Sequence, residues 1–155
     1  MVHEALMRLF AHATLLRMAM AREYGLNVFQ LLSVLLIGGS ETGVSIKGLR
    51  QALFIPGSSL TFTLDSLEKK GYIKRNRNKR DRRQWLLFLT AKGKRFYADV
   101  IEKQTEAIGP SLEKFTESER AAFLRIAEEI SQAGGLQLAP VRHGLENTSG
   151  SKREM

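Results

Sequence analysis

Between positions 69 and 95 the chain carries twelve lysines and arginines against a single acid, Asp81. Guanidinium and ammonium groups at this density do one thing well. They make charge-assisted hydrogen bonds to anionic oxygens, guanidinium as a planar fork and ammonium as a point charge. A localised basic block is therefore the electrostatic footprint of a polyanion, and a solvated basic surface is the plainer alternative. The block holds half of the 24 basic residues, while the other twelve meet fifteen acids. The net charge of +8 is thus concentrated in one stretch, and the remainder of the molecule is slightly acidic.

Other chemistries find no residues to carry them. The absence of cysteine removes disulfides, thiol redox sensing and thiolate metal sites. His3, His12 and His143 show no metal-ligand spacing. There is no nucleophile beside a base, no phosphate-cradling glycine loop and no convergent carboxylate set, so neither enzymatic activity nor a required cofactor is expected. No apolar run reaches bilayer-spanning length, and the first residues, with an early Glu4 and no small-residue cleavage site, do not read as a signal peptide. A cytoplasmic location is expected.

The elements that must position the basic block follow from periodicity. Leu60, Leu64 and Leu67 recur at helical spacing, with Ser58 as expected N-cap and Gly71 as the stop. This turns Ser58, Ser59, Thr61, Phe62, Asp65, Ser66 and Lys69 outward. Two extended runs follow, 72–78 and 83–90, joined by the charged tip Lys79-Arg80-Asp81-Arg82. Asp81 is expected either to close the turn or to hold a neighbouring arginine. In the second run Trp85, Leu87 and Leu89 share one face and Leu86 and Phe88 the other, so the base of the ribbon should be covered on both sides.

A short helix leading at once into a basic two-stranded ribbon is the pattern of a winged helix-turn-helix, whose helix fits a major groove and whose ribbon reaches phosphates or the next minor groove. Ser45 can cap the preceding helix, from 46 to about 54 with Ile46, Leu49 and Leu53 inward, and Ile55-Pro56-Gly57 forces the turn. That helix offers Ser45 and Lys47 to a phosphate. From the ribbon, Arg75, Arg77, Lys79, Arg80, Arg82 and Arg83 complete the expected contacts, with Asp81 in support. Phe62 suits either a thymine methyl or packing against the wing.

Around this unit lie longer helices. Residues 2–23 place Leu6, Leu9, Phe10, Ala13, Leu16 and Met20 on one stripe, widened by Leu15 and Met18. Asn27 and Gln30 form a capping box for a central apolar helix closed by Gly38-Gly39, and 40–44 reads as a loop. Thr90 caps a helix from 91 to about 108, broken or kinked by Gly109-Pro110. Lys92, Lys94 and Arg95 crowd its first turn against the helix dipole, which a nearby polyanion would explain. Thr116 and Glu119 form a second capping box, and the last helix, with Phe123, Ile126, Ala127 and Ile130 inward, ends at Gly134-Gly135. Residues 136–155 lack a period and are expected to be a disordered tail.

Two motifs carry a family resemblance. Asp81-Arg82-Arg83 followed by Leu89-Thr90-Ala91-Lys92-Gly93 matches a pattern of Asp-x-Arg, an apolar strand and Leu-Thr-x-x-Gly. Thr61 with Leu67-Glu68-Lys69-Lys70-Gly71-Tyr72-Ile73 matches a recognition helix and its exit into the wing. Over roughly residues 28–130 the chain resembles a MarR-family winged helix-turn-helix transcriptional regulator. The fold class is then mostly α with a small β-ribbon. The resemblance implies a dimerisation helix at 1–26, a DNA-binding domain at 27–95 and further dimerisation helices at 96–135.

It also implies a homodimer, through Leu6, Leu9, Phe10, Ala13, Leu16, Phe123, Ile126 and Ile130, that represses at a palindromic operator on the prokaryotic nucleoid. Release by a small phenolic or other anionic effector is a further implication, with no residue assigned to it. Phe62 departs from the family, where many members carry a basic residue after the threonine. The missing cysteines exclude the thiol-oxidation subgroup, and the few histidines argue against the zinc-responsive one. A non-specific DNA-coating or architectural protein and a winged-helix protein-interaction module are the other readings. The wing charge speaks against the second of these.

Overall fold

Each helix starts or stops where a side chain or a glycine satisfies the orphan groups of its end. The computed structural model describes residues 1–133, so the expected helix stop at Gly134-Gly135 and the tail lie outside the described residues. Six helices and three short strands follow in order: α1 Val2–Glu23, α2 Val28–Gly38, β1 Val44–Ser45, α3 Ile46–Leu53, α4 Gly57–Lys69, β2 Ile73–Arg77, β3 Trp85–Leu89, α5 Ala91–Leu112 and α6 Glu117–Ala133.

α1 closes on Gly25, which takes φ +63°, with Gly25 N–H donating to Arg22 O and Leu26 N–H to Ala21 O. That double bond satisfies two of the last carbonyls and turns the chain into α2. α2 opens with the expected capping box: Asn27 Oδ1 accepts from Gln30 N–H at 2.9 Å and Gln30 Oε1 from Asn27 N–H at 3.0 Å. Its residues Leu31, Val34 and Ile37 are fully buried and form the centre of the core with Leu49, Leu60, Leu64, Leu67, Ile73, Leu87, Phe96 and Val100. Gly38 is needed there because the Tyr97 ring lies where a Cβ would be.

The sheet is antiparallel in the order β1-β3-β2, with Arg75 opposite Leu87 and Val44 opposite Leu87 on the other side. β1 corrects the expected loop at 40–44: Val44 and Ser45 pair with Leu87 and Leu86, a run too short to show alternation. Leu87 and Leu89 are buried on one face of β3, and Leu86 and Phe88 are half-buried on the other. Phe88 lies against Gly43, whose φ of +84° and lack of a Cβ both suit the tight approach.

Two helix boundaries differ from expectation. α4 begins at Gly57 with Pro56 as its N-cap and no side-chain cap, so Ser58 is inside the first turn instead of capping it. The Pro56 carbonyl accepts from Leu60 N–H at 3.1 Å, and proline lacks the N–H that a first turn would leave unsatisfied. α5 runs through Gly109-Pro110 to Leu112, with Glu113 N–H still bonding to Gly109 O at 3.0 Å. A proline this close to a helix end removes one bond without stopping the turn that follows. α6 opens with the expected box, in which Thr116 N–H and hydroxyl both donate to Glu119 at 2.8 Å and hold its carboxyl below the usual range.

Candidate nucleic-acid interface

α4 and the wing are joined by one short, heavily bonded connection. Gly71, at φ +76°, ends α4 in the same double-bonded turn as Gly25, with Gly71 N–H donating to Glu68 O and Tyr72 N–H to Leu67 O. Thr90, at the far end of the ribbon, returns to the same point. Its N–H donates to Tyr72 O at 3.0 Å, its hydroxyl donates to Gly71 O at 2.6 Å, and the same oxygen caps α5 by accepting from Gly93 N–H at 3.1 Å. The Leu-Thr-x-x-Gly motif thus stitches helix, wing and α5 together.

Lys92 belongs to this junction too. Its ammonium donates to Lys70 O at 2.7 Å and lies 4.5 Å from the Tyr72 ring centre. A polyanion is therefore not needed to explain Lys92 in the first turn of α5. Its charge meets the carbonyl end of α4 instead. Lys94 and Arg95 are exposed.

The outer face of α4 presents Ser58, Ser59, Thr61, Phe62 and Lys69 to solvent, with Phe62 73% exposed. The Thr61 hydroxyl donates to Gly57 O at 3.0 Å, which leaves its lone pairs outward. Ser66 is a correction: it is half-buried and accepts from Gln30 Nε2 at 2.9 Å, so it faces α2 and not a groove. The Gln30 side chain thereby serves both the α2 cap and the α2–α4 contact. Ser45, half-buried, caps α3 by accepting from Gly48 N–H at 3.0 Å, and Lys47 is exposed beside it. Phe54 ends α3 in the left-handed region at φ 51° and is 75% exposed, a feature the sequence did not announce.

The wing arginines divide into two groups. Arg75 is held inside the chain, its Nη2 2.6 Å from Asp65 and its Nη1 3.0 Å from Glu68. Arg77 stacks 4.4 Å from the Trp85 ring centre and donates to Arg82 O at 2.7 Å, bracing the tip against its own strand. Lys79, Arg80, Arg82 and Arg83 are exposed at the tip and make no ion pair among the described residues.

Asp81 closes the tip. Its Oδ1 accepts from Arg83 N–H and its Oδ2 from Gln84 Nε2, both at 3.0 Å, while its carbonyl accepts from Gln84 N–H at 3.0 Å. Of the two expected roles Asp81 takes the turn-closing one: it meets neighbouring Arg83 through the backbone N–H and not the guanidinium, which leaves that charge facing outward. Acids at 65 and 68, one helical turn apart and across from a basic strand, were the signal that could have found the Arg75 contact beforehand.

The apolar residues assigned to dimerisation sit differently along the chain. Leu6, Ala13 and Leu16 are half-buried, whereas Leu9 and Phe10 remain about half exposed, at 49% each. From Glu117 to Ile130 every α6 residue is exposed except half-buried Ala127, so Phe123, Ile126 and Ile130 do not point into this chain's own core. Among the described residues no helix is long and apolar enough to cross a membrane.

A short recognition-type helix, a preceding helix across a tight turn and a basic antiparallel wing define a winged helix-turn-helix protein. Residues 24–84 match the model of the MarR family. The chain is 31% identical over 88 residues to YwhA of Bacillus subtilis, an uncharacterized HTH-type transcriptional regulator, covering 57% of this chain and 63% of that one. It is 44% identical over 61 residues to the HTH-type transcriptional regulator SarZ of Staphylococcus saprophyticus, covering 39% and 42%. The chain thus spans less than two thirds of the length of these curated relatives.

Among solved structures, FabT of Streptococcus pneumoniae in complex with DNA superimposes with a TM-score of 0.70 at 22% identity, over 86% of this chain and 95% of that one. A point mutant of MepR from a multidrug-resistant clinical isolate of S. aureus gives 0.72 at 18%, over 87% and 97%. Over residues 24–84 the chain is thus similar to the MarR family, and it shares the winged-helix fold of these solved structures.

Proposed function

We propose that the protein is a homodimeric regulator that binds a specific palindromic site in double-stranded DNA and represses transcription there. The observation that carries this reading is the pairing of two surfaces. One is an α4 face of hydroxyls and Phe62 without an exposed acid in its first two turns; the other is a wing tip whose four cations lack carboxylate partners among the described residues. The first suits base edges and the second suits phosphates. That FabT, of the same fold, was crystallised with DNA supports the choice of partner. The exposed apolar faces of α1 and α6 support the dimer, since such surface is normally covered. The domain reading follows from these assignments: 27–95 for DNA, with 1–26 and the helices from 96 onward for the dimer.

The test is a titration on an operator recovered by in vitro selection and on scrambled DNA, across a salt series. Replacing Arg80 and Arg82 by alanine is expected to weaken both complexes alike and to lower the salt slope by about one for each phosphate no longer neutralised. Weakening confined to the selected site would contradict the phosphate role.

Phe62 has the opposite expectation. Its ring has no donor and cannot read guanine, but it can cover a thymine methyl. Phe62→Ala should cost about 1–3 kcal/mol on the selected operator, the size of one base contact, and little on scrambled DNA. Since the side chain is 73% exposed, thermal stability should hold. Equal losses on both DNAs would remove Phe62 from base reading.

A further inference from the structure

Arg75 lies among residues that would face DNA, yet its donors point into the protein. Both Nη groups meet carboxylates of α4, Asp65 at 2.6 Å and Glu68 at 3.0 Å. Its Nε is buried without a partner among the described residues, so the inner edge of the guanidinium is closed to a phosphate and both Nη groups are already engaged. The side chain is 26% exposed, against 57% for Asp65 and 40% for Glu68, so the cation is the enclosed member of the trio. β2 carries Arg75, α4 carries both acids, and Gly71 is the hinge-like turn between them.

We propose that Arg75 is a positioning residue, a clamp that fixes the angle between the recognition helix and the wing. This rests on the DNA-binding reading above. The clamp has two consequences. It holds the tip cations in register with the helix face, so both reach DNA without a further ordering cost. It also places a cation between two acids that would otherwise repel phosphates from the groove side of α4.

The first consequence separates the clamp from the obvious electrostatic alternative. Asp65→Asn with Glu68→Gln removes two negative charges beside a polyanion, so charge alone would tighten binding. The clamp requires the opposite, a loss of about 10-fold on the selected operator, the ordinary scale of coupling between contacting residues. Arg75→Met should lose a similar factor with the salt slope unchanged, because no phosphate contact disappears. The triple variant should be no worse than Arg75→Met alone.

The DNA-free measurement uses the lack of native cysteine. Spin labels at Lys69→Cys on α4 and Lys79→Cys at the wing tip, in a labelled fraction diluted with unlabelled chain, report the helix–wing distance distribution. It should be narrow with Asp65 and Glu68 present and broaden in the Asp65→Asn/Glu68→Gln variant, with circular dichroism confirming the fold. Tighter DNA binding by that variant, a salt slope lowered by about one in Arg75→Met, or an unchanged distance distribution would each overturn the clamp. If the parent chain binds no DNA, the functional reading fails, and the spin-label distances still decide the clamp.

Discussion

Gly93→Ala is expected to destabilise the fold by about 3 kcal/mol or more, although alanine is the better helix former. Gly93 is buried in the first turn of α5, where helix propensity alone would favour alanine by about 1 kcal/mol. The added methyl, however, would fall inside contact distance of the Tyr72 carbonyl oxygen and 3.3 Å from Leu89 Cβ. The oxygen cannot swing away as a side chain would, because it accepts from Thr90 N–H and anchors the turn that leaves α4. Relief would have to come from separating α5 from the wing, and that breaks the Thr90 bonds to Gly71 and Tyr72 together. A thermal melt at fixed protein concentration should drop by roughly 10 °C or more for a loss of this size. A melting temperature within a degree or two of the parent would show that the junction yields easily, and the rigid coupling of α4, wing and α5 would then be wrong.

This junction also shows what the sequence could and could not disclose. Side-chain caps were mostly legible: Asn27, Ser45, Thr90 and Thr116 each accept the N–H expected of them. Ser58 misled because Pro56, two residues earlier, is an equally good place to begin and leaves fewer orphan donors. The apolar faces of α2 and α4 were legible because burial imposes a period. β1 was not, since two residues have no period, and its pairing depends on β3 being already in place. Gly109-Pro110 reads as a breaker in isolation, but near a helix end only one hydrogen bond is at stake.

Charge was the least legible property. A lysine or arginine looks the same in a sequence whether it meets a phosphate, a carboxylate, a carbonyl or a ring. Arg75, Arg77 and Lys92 all lie in the basic block, yet each is engaged within the chain: by Asp65 and Glu68, by Trp85, and by Lys70 O. The block is therefore both an external surface and an internal frame. Beneath its exposed tip cations, Arg75 and Arg77 of the same run tie the wing strands to α4 and to each other.

Phe10→Glu combined with Phe123→Glu is expected to convert the proposed dimer into monomer at micromolar concentration. The two rings are 49% and 51% exposed in the single chain, on α1 and α6. Leu9, Leu124, Ile126 and Ile130 are also more than two fifths exposed on the same two helices. A helix such as α6 that buries so little would be marginal in water on its own. In the proposed dimer a second copy of the chain would supply the apolar cover these faces need, and a twofold interface would use each substituted position twice. Removing the still-exposed half of a phenylalanine from water contributes roughly 1 kcal/mol, so four rings amount to about 4 kcal/mol, or about three decades in dissociation constant. The introduced carboxylates add to this by opposing desolvation and by repelling one another. Sedimentation velocity across a concentration series gives the species, and circular dichroism shows whether the released chains keep their helices. A parent chain that sediments as a monomer, or a double variant that dimerises as tightly as the parent, would place these two faces outside any dimer interface.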